Sequence, residues 1–562
     1  MQHSRSTSLV LGHPKFTSAE LSMVAARQGN LAAWQTLLKT DGPAALKNVS
    51  GDFAVGVLDD VDRGFLAVDR FAVRSLCYRV DDGKLRFAAR ADELADTTTE
   101  IDPQAIFDYL YFHVIPSPRT IFKGIYRLPP AHFAVFEDGA LKVAPYWVAE
   151  FSEMDKPSFD DLRTEFRLLL RDAVSGELEG GKHGCFLSGG TDSSTVAGMI
   201  GKASGEPAAT YSIGFAAAGY DEMEYARIAA RHFKTEHHEY YVTPEDLVRS
   251  IPAVAQFYDQ PFGNSSALPA YYCAKMARED GVSKILAGDG GDELFGGNSR
   301  YAKQKIFGLY EAVPNSIRGA LLEPLLLKTP LGRLPLARKG ASYIEQAREP
   351  MPDRNGKYNL LHRLGMSDVF TPDFLGAVSL EDPIRQQRAV WAQARTTSPT
   401  NRELAFDWRY TLAECDLPKV VGTTQLAGIE VGFPMLDYRL LEFSMRLPAS
   451  YKLKGLNLRW FFKEALRGFL PDEILTKKKQ GFGLPFGVWA AGNEALKALA
   501  ENSVRGLVDR GILRSDFVDD LFSRHLHEHP GYYGEMIWIS MMLEQWLRGR
   551  SDEFKFPNGL PV

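Results

Sequence analysis

The chain has 562 residues, more than one hydrophobic core usually supports, so we expect at least two domains. Hydrophobic residues make up 45% and charged residues 24%, a balance that excludes collagen-like, coiled-coil and disordered chains. A formal net charge of −6 argues against nucleic acid or an anionic membrane as a partner.

The four cysteines lie far apart and lack the spacing of a zinc or CxxC site, so we interpret them as small buried side chains in a reducing compartment. The N-terminus has no long apolar core like that of a signal peptide, and no run of about 18 apolar residues occurs. We therefore expect a cytoplasmic location and no membrane span. The cysteines are Cys77, Cys185, Cys273 and Cys415.

Residues 50–150 are rich in strand patterns, with alternating runs such as GDFAVGVLDD, GFLAVDRF and KLRFAAR separated by turn residues. This pattern predicts an antiparallel sheet. The polar stretch FSEMDKPSFDD that follows is typical of a linker. We therefore predict an N-terminal domain over 1–155, a second domain over 156–550 and a tail over 551–562.

The second domain begins with an amphipathic helix predicted at about 158–178, followed by the short apolar run GCFLSGG and a helical stretch. Strand-like runs recur at AATYSIGF and SKILAGDG, with helices between them. This alternation predicts a parallel sheet covered on both faces. Residues 300–470 are expected to be mainly helical.

The first motif follows the first of these strands and opens a helix. Its glycines let the backbone approach an anion, and the helix start presents unpaired N–H groups. Asp192 would repel phosphate unless Mg²⁺ bridged them, so it is a candidate metal ligand at the pyrophosphate part of ATP. The alternative is a glycine turn with a capping aspartate. The motif comprises Ser188, Gly189, Gly190, Thr191, Asp192, Ser193 and Ser194.

No lysine follows these glycines, which argues against the phosphate-binding loop of γ-phosphoryl transferases. The SGGxDS pattern is instead typical of ATP pyrophosphatases, which cleave between the α and β phosphates. We therefore expect an adenylate as the intermediate product.

The second motif, GDGGDELFGG, follows another strand-like run. Since both motifs should lie at the carboxyl ends of parallel strands, where such sheets bind ligands, Asp292 is a candidate for a second Mg²⁺ ligand. Asp289 is a candidate for contact with the nucleotide or the acyl acceptor. The alternative is a solvated acidic loop.

The third motif is the basic run KKKQGFGLP, which contains Lys479. Charge that builds on an α-phosphate needs a cation, so we predict a catalytic lysine here. The alternative is a solvated helix end. His237 and His238 have no ligand partner at helical spacing, so we interpret them as ordinary surface or strand histidines, and we interpret His525, His527 and His529 in the same way.

Taken together, the stretches LSGGTDSS, TYSIGF, GDGGDELFGG, FPMLDYRLLEFSMRLP and KKKQGFGLPFGVW resemble the asparagine synthetase family, in the family's order. The resemblance covers about residues 8–548, and GDFAVGVLDD and DRFAVRSLCY resemble the later half of its glutaminase domain. It implies an α/β fold, in which a parallel-sheet ATP-pyrophosphatase domain follows a partial, Ntn-type, antiparallel glutaminase-like domain. The family uses ATP and Mg²⁺ to form β-aspartyl adenylate, which ammonia from glutamine attacks.

The resemblance also implies roles for individual residues. Leu187, Ser188 and Ile213 would border the adenosine, while Gly288 and Asp289 line the nucleotide and acyl site. Asp192 and Asp292 would bind Mg²⁺-pyrophosphate, and Lys479 would stabilise the adenylation transition state. The partners implied are small molecules, with a homodimer as a possible assembly.

The chain departs from the family in the glutaminase domain. Gln2 follows Met1 where the family has a nucleophilic cysteine, and the arginine and NGE segments that hold glutamine are absent. We expect no glutamine hydrolysis: either the true start lies upstream, or the nitrogen comes from ammonia or another amine.

Further departures concern the half of the site that should meet the acyl substrate or the amine. Asn298 replaces a tyrosine, whose role is lost or passes to Tyr301. Gly422 and Gly432 replace a basic residue and an arginine, and Lys419 is a candidate substitute.

The sequence thus predicts an ATP-dependent, amide-forming ligase with aspartate as the default acyl substrate and ammonia or an amine as the nucleophile. One alternative is a specialised amide synthetase resembling β-lactam synthetases or lasso-peptide cyclases. Another is a non-catalytic regulatory relic, against which the intact Asp192, Asp292 and Lys479 argue.

Overall fold

The structure is a computed structural model that describes residues 8–59, 63–178, 181–311, 313–318, 343–477 and 483–550. Among these residues, no helix combines the length and the apolar character needed to cross a bilayer. The predicted catalytic lysine, Lys479, and the tail over 551–562 lie outside the described residues.

The N-terminal part contains the predicted antiparallel sheet. All four pairings between its five strands are antiparallel, and a separate three-stranded sheet packs against it. Successive side chains of the strand Phe53–Leu58 point to opposite faces of the sheet, and a small apolar core lies on each face. Val55 belongs to one of these cores and Ala54 to the other. In spatial order the five strands are Ser8–Gly12, Phe53–Leu58, Gly64–Val68, His132–Glu137 and Ala140–Pro145, and the three are Lys84–Ala88, Cys77–Asp81 and Tyr126–Arg127.

The second part is built on a five-stranded sheet in which every pairing is parallel, as predicted. The strand Ala209–Phe215 is buried along its whole length, and Ile285 and Leu286 of the strand Lys284–Leu286 are buried too. Because helices cover both faces of the sheet, this burial explains the apolar runs in the sequence. In spatial order the strands are Glu236–Val242, Ala209–Phe215, His183–Phe186, Lys284–Leu286 and Glu430–Gly432. Short antiparallel pairs join Lys15–Phe16 to Val49–Ser50 and Leu453–Lys454 to Asn457–Leu458.

Helices make up most of the remainder. The helix predicted at 158–178 is observed at Phe159–Ser175, where Ser158 caps its first turn and two aspartates favour the helix start. The longer described helices are Ala19–Gln28, Asn30–Asp41, Pro103–Phe112, Thr191–Ser204, Met223–Phe233, Pro244–Phe257, Ala267–Glu279, Ser299–Glu311, Asp382–Gln393, Pro399–Asp407, Leu417–Ala427, Tyr438–Arg446, Glu494–Asp509 and Pro530–Arg548.

Shorter helices connect these segments. They are Gly291–Phe295, Asn315–Ile317, Leu360–Leu364, Met366–Val369, Pro372–Gly376, Ala449–Lys452, Trp460–Ala465, Asp472–Thr476, Phe486–Gly492, Ser515–Asp520 and Leu526–Glu528.

The main hydrophobic core crosses the boundary predicted near residue 155. It includes Ile106 and Phe122 from the N-terminal part together with residues of the last helix, Pro530–Arg548. The ring centroids of Phe122 and Trp546 lie 5.9 Å apart, and Tyr109 Oη donates a hydrogen bond to the carbonyl oxygen of Ile539. Separating the two parts would therefore expose a large apolar surface.

Candidate functional site

A cavity of about 320 Å³ opens at the carboxyl ends of the parallel strands, and we call it the strand-end cavity. The first two sequence motifs meet there, as the topology of a parallel sheet requires. Most of the predicted nucleotide and metal residues line this cavity: Leu187, Ser188, Asp192, Ser193, Ile213, Gly288, Asp289 and Asp292.

The glycine turn between the strand His183–Phe186 and the helix Thr191–Ser204 forms one wall. Gly189 has a φ of +68°, and a Cβ there would overlap the backbone of Tyr225 and Ala226, so the turn requires glycine. Ser193 Oγ lies 3.1 Å from Ser188 Oγ. Ser194 is fully buried, and within the described residues its hydroxyl has no hydrogen-bond partner. An orphaned buried hydroxyl beside a helix start fits a turn built for an anion.

Asp192 and Asp292 converge on one guanidinium group, that of Arg459. Arg459 Nη1 donates to Asp192 Oδ2 at 2.8 Å, to Asp292 Oδ1 at 2.7 Å and to Thr191 Oγ1 at 2.7 Å. Burial by itself would lower the pKa of Arg459, but Asp192 and Asp292 raise it above its ordinary value. Two carboxylates that reach a single nitrogen atom also supply the hard oxygen ligands that Mg²⁺ prefers, so this pair fits a divalent cation.

Glycines make this convergence sterically possible. A Cβ at Gly291 would overlap the carboxylate of Asp192, and one at Gly297 would overlap that of Asp292. Arg459 itself has a left-handed backbone with a φ of +55°, an uncommon conformation for arginine. The surrounding structure thus holds all three charged side chains in a constrained arrangement.

A second charged group, formed by Lys419, Asp416 and Asp289, also lines the strand-end cavity. Lys419 Nζ lies 2.9 Å from Asp416 Oδ1 and 3.5 Å from Asp289 Oδ1, so one ammonium serves two carboxylates. Burial raises the pKa of Asp289, while Lys419 opposes that shift. Burial, followed by repulsion from Asp292 and Asp416, holds the pKa of Glu293 well above its usual range. The described lining therefore carries more carboxylates than cations.

A second cavity, of about 570 Å³, lies beside the hairpin 453–458, and we call it the hairpin cavity. Asp192 and Asp292 line both cavities, whereas Gly190 and Thr191 of the predicted motif line only the hairpin cavity. Lys477, the first lysine of the third motif, also lines it and pairs with Glu222 at a distance of 3.0 Å.

Gly422 and Gly432 were expected in the half of the site that meets the acyl substrate or the amine. They do not line the strand-end cavity but line separate cavities next to the N-terminal part. A Cβ at Gly422 would overlap the ring of Tyr258, and one at Gly432 would crowd Glu177 and Leu286. Larger side chains are therefore excluded at both positions unless these neighbours move.

Tyr301 is not positioned to replace the missing tyrosine. Its phenol is buried and donates a hydrogen bond to Asp407 Oδ2 at 2.6 Å, and it does not line the strand-end cavity. Asn298 caps the helix that carries Tyr301 by accepting a hydrogen bond from the Arg300 amide. Lys419, in contrast, does line the cavity, as expected of a substitute cation.

The histidines interpreted as ordinary lie away from this site. His238 is in the strand Glu236–Val242, where its Nε2 atom lies 3.3 Å from Asp280 Oδ2. Lys182 Nζ lies 2.6 Å from the same oxygen and 3.0 Å from Glu236, so an ammonium already neutralises this acidic group. The four cysteines are unpaired, as predicted, and three of them are buried.

Sequence reasoning missed Arg459 and Lys463. Both lie in the segment NLRWFFKEAL, one helical turn apart, and both line the hairpin cavity. The available signal was a pair of basic residues at a spacing of four on either side of the aromatic run Trp460–Phe462. The pairing with Asp192 was not visible, because 267 positions separate it from Arg459.

Comparison with known proteins agrees with this arrangement. The family model described as asparagine synthase matches residues 165–548, and the model described as a glutamine amidotransferase domain matches residues 34–147. The chain is 24% identical over 484 residues to the glutamine-hydrolysing asparagine synthetase 1 of Bacillus subtilis, covering 85% of this chain and 74% of that protein. It is 25% identical over 456 residues to asparagine synthetase 3 of the same organism, covering 77% and 67%.

A relative with another name also matches. The chain is 24% identical over 532 residues to amidase chyE of Penicillium rubens, covering 81% of this chain and 73% of that protein. The asparagine synthase model covers more than half of the chain and includes both aspartate motifs of the strand-end cavity. The chain therefore belongs to the asparagine synthase family and is a ligase that forms carbon–nitrogen bonds.

Proposed function

We propose that this ligase uses ATP to activate a carboxylate as an acyl-adenylate and then transfers the acyl group to ammonia or an amine. Aspartate is the default acyl substrate, which would make asparagine the product. The observation that carries the proposal is the convergence of Asp192 and Asp292 on Arg459 beside an anion-binding glycine turn.

In this proposal the nucleotide lies in the strand-end cavity. Leu187, Ser188 and Ile213 border the adenosine, and Gly288 lets the chain approach it closely. Asp192 and Asp292 would hold Mg²⁺, which supplies neutralisation of phosphate charge when it is bound. A carboxylate oxygen attacks the α-phosphorus, the bond between that phosphorus and the β-bridging oxygen breaks, and pyrophosphate leaves. We retain Lys479 as the cation that stabilises this step.

The second step needs a proton acceptor. The amine attacks the acyl carbon, AMP leaves with one of the original carboxylate oxygens, and the nitrogen loses a proton. Asp289 is the proposed acceptor, because it lines the cavity and burial raises its pKa. Lys419 keeps Asp289 oriented and balances its charge.

The direct experiment measures pyrophosphate and AMP from MgATP and aspartate, with ammonium chloride or glutamine as the nitrogen source. We expect pyrophosphate, AMP and asparagine in equal amounts when ammonium is present. Formation of ADP and phosphate, or no ATP cleavage with any carboxylate, would refute the proposed chemistry.

The charge of the strand-end cavity favours a second candidate function, a specialised amide synthetase. Among the described residues that line this cavity, Lys419 is the only cation, and it pairs with both Asp289 and Asp416. The cations that pair with Asp192, Asp292 and Glu222 line the hairpin cavity instead; they are Arg459 and Lys477. Free aspartate brings an additional α-carboxylate, for which no further described cation lines the cavity. A substrate without that second carboxylate, such as an aspartyl or glutamyl side chain within a peptide, avoids this repulsion.

A comparison of substrates separates the two candidates. If the enzyme is an asparagine synthetase, it should release pyrophosphate from ATP faster with free aspartate than with N-acetyl-aspartate amide, which has no α-carboxylate or α-ammonium. If it is a specialised amide synthetase, the blocked compound should be the better substrate. The order of kcat/KM values decides between them.

A further inference from the structure

The hairpin cavity and the strand-end cavity meet at Asp192 and Asp292, which line both, while their shared partner Arg459 lines the hairpin cavity. Ile213, Asp289 and Lys419 line only the strand-end cavity. Gly190, Thr191 and Lys463 line only the hairpin cavity. A nucleotide held in the strand-end cavity, with its phosphates at Asp192 and Asp292, would direct its terminal phosphates toward the hairpin cavity.

Most of the cations lining the hairpin cavity already have carboxylate partners. Arg459 pairs with Asp192 and Asp292, and Lys477 pairs with Glu222. Arg467 pairs with Glu464 and Asp472.

Lys463 differs from them. Within the described residues its side chain makes no hydrogen bond or ion pair, although it is only partly exposed. Its backbone N–H donates to the carbonyl oxygen of Arg459, which places the two residues one helical turn apart. Lys463 is therefore a cation available for an anion at Asp192 and Asp292.

We propose that the hairpin cavity receives the leaving pyrophosphate and that Lys463 binds it there. This inference rests on the proposed adenylation chemistry. When the bond between the α-phosphorus and the β-bridging oxygen breaks, pyrophosphate moves toward Lys463 and the start of the helix Thr191–Ser204. The acyl-adenylate stays in the strand-end cavity, so pyrophosphate leaves without crossing the path of the attacking amine.

The test is the binding of inorganic pyrophosphate, in the presence of Mg²⁺, to the full chain by titration calorimetry, with AMP binding measured in parallel. We expect Lys463→Gln to weaken pyrophosphate binding by about tenfold or more, the range for loss of a charge-assisted contact. AMP binding should stay within about twofold, because no phosphate beyond the α position is present. Lys463→Arg should recover most of the pyrophosphate affinity, because it keeps the cation.

The matched control is Lys275→Gln, which removes an exposed lysine that only approaches Glu279. It should leave both affinities unchanged. Unaltered pyrophosphate binding in Lys463→Gln, equal losses of pyrophosphate and AMP, or no pyrophosphate binding by the wild-type chain would overturn the proposal. Because binding needs no turnover, this result is separate from whether aspartate or any other carboxylate is adenylated.

Discussion

A buried carboxylate in the N-terminal part and a group of partly buried carboxylates at the edge of the parallel sheet have different partners. In the N-terminal part, Asp69 accepts hydrogen bonds from the backbone amides of Phe53, Phe71 and Val73 at 2.9–3.3 Å. At the edge of the parallel sheet, Asp192 and Asp292 share Arg459, and Asp289 and Asp416 share Lys419.

This difference separates a structural role from a functional one. Asp69 accepts hydrogen bonds from fixed amides of its own loop and of the neighbouring strand Phe53–Leu58, so the carboxylate stabilises the contact between that loop and the strand. The sheet-edge carboxylates outnumber their described cations, an arrangement that costs stability and leaves capacity for a bound cation or proton. Substitutions at the two places should therefore have opposite effects on activity and stability.

The largest effect is expected for Asp292→Asn. Pyrophosphate release should fall by about 10²–10³-fold, the range for loss of one preorganised electrostatic group at a reacting phosphate. Folding stability should change little, because the substitution also relieves carboxylate crowding near Glu293. Activity is measured as pyrophosphate release and stability as the thermal midpoint. If Asp292→Asn lost folding together with activity, Asp292 would have a structural role like that of Asp69.

Lys419→Gln comes next, because it leaves the partly buried carboxylates of Asp289 and Asp416 without a shared cation. We expect a loss of about 3 kcal/mol in the free energy of unfolding. Adding Asp416→Asn should recover much of that loss, since the repulsion is removed. Denaturant unfolding of the single and double variants measures both values, and equal stability of the two would show that the pair is not coupled.

Asp69→Asn should act in the opposite sense from Asp292→Asn. The free energy of unfolding should fall by about 1–3 kcal/mol, because an amide nitrogen would face backbone N–H donors. Pyrophosphate release per folded molecule should remain at the wild-type rate. A selective loss of activity with normal stability would mean that Asp69 has a role in the reaction, as proposed for the sheet-edge carboxylates.

The smallest expected effect concerns the buried Lys452, which makes folding stability depend on pH. Burial lowers the pKa of Lys452 to about 7, while Glu153 opposes the shift and Asn401 accepts its hydrogen bond at 2.9 Å. The unfolded chain holds this proton up to a pH near 10, so stability is lost as the pH falls from about 10 to 7.

Lys452→Met should remove that dependence. Between pH 8 and 7, the wild-type chain should lose about 1 kcal/mol relative to the variant, with no further relative change well below pH 7. Thermal midpoints recorded across this range measure the difference. The exposed substitution Lys275→Met should follow the wild-type curve, and identical curves for Lys452→Met would contradict the buried-charge account.

The parallel sheet and its motifs could be predicted from the sequence, because strand, glycine turn and helix follow one another locally. Both aspartate motifs then had to meet at the carboxyl edge, and the structure confirms this for Asp192 and Asp292. Arg459 could not be predicted, since its contacts span 267 and 167 positions and its left-handed backbone has no local signature. Gly422 and Gly432 were expected in the half of the site that meets the acyl substrate, but they line other cavities, because their positions depend on packing against Tyr258 and Glu177.

The proposed adenylation can be tested most directly by tracing an oxygen atom. The chain would be incubated with MgATP, ammonium and a carboxylate substrate labelled with oxygen-18, and the AMP examined by mass spectrometry. The account predicts that AMP carries a single labelled oxygen, because the carboxylate attacks the α-phosphorus and leaves that oxygen behind. Unlabelled AMP formed together with the amide, or ADP in place of AMP, would contradict it.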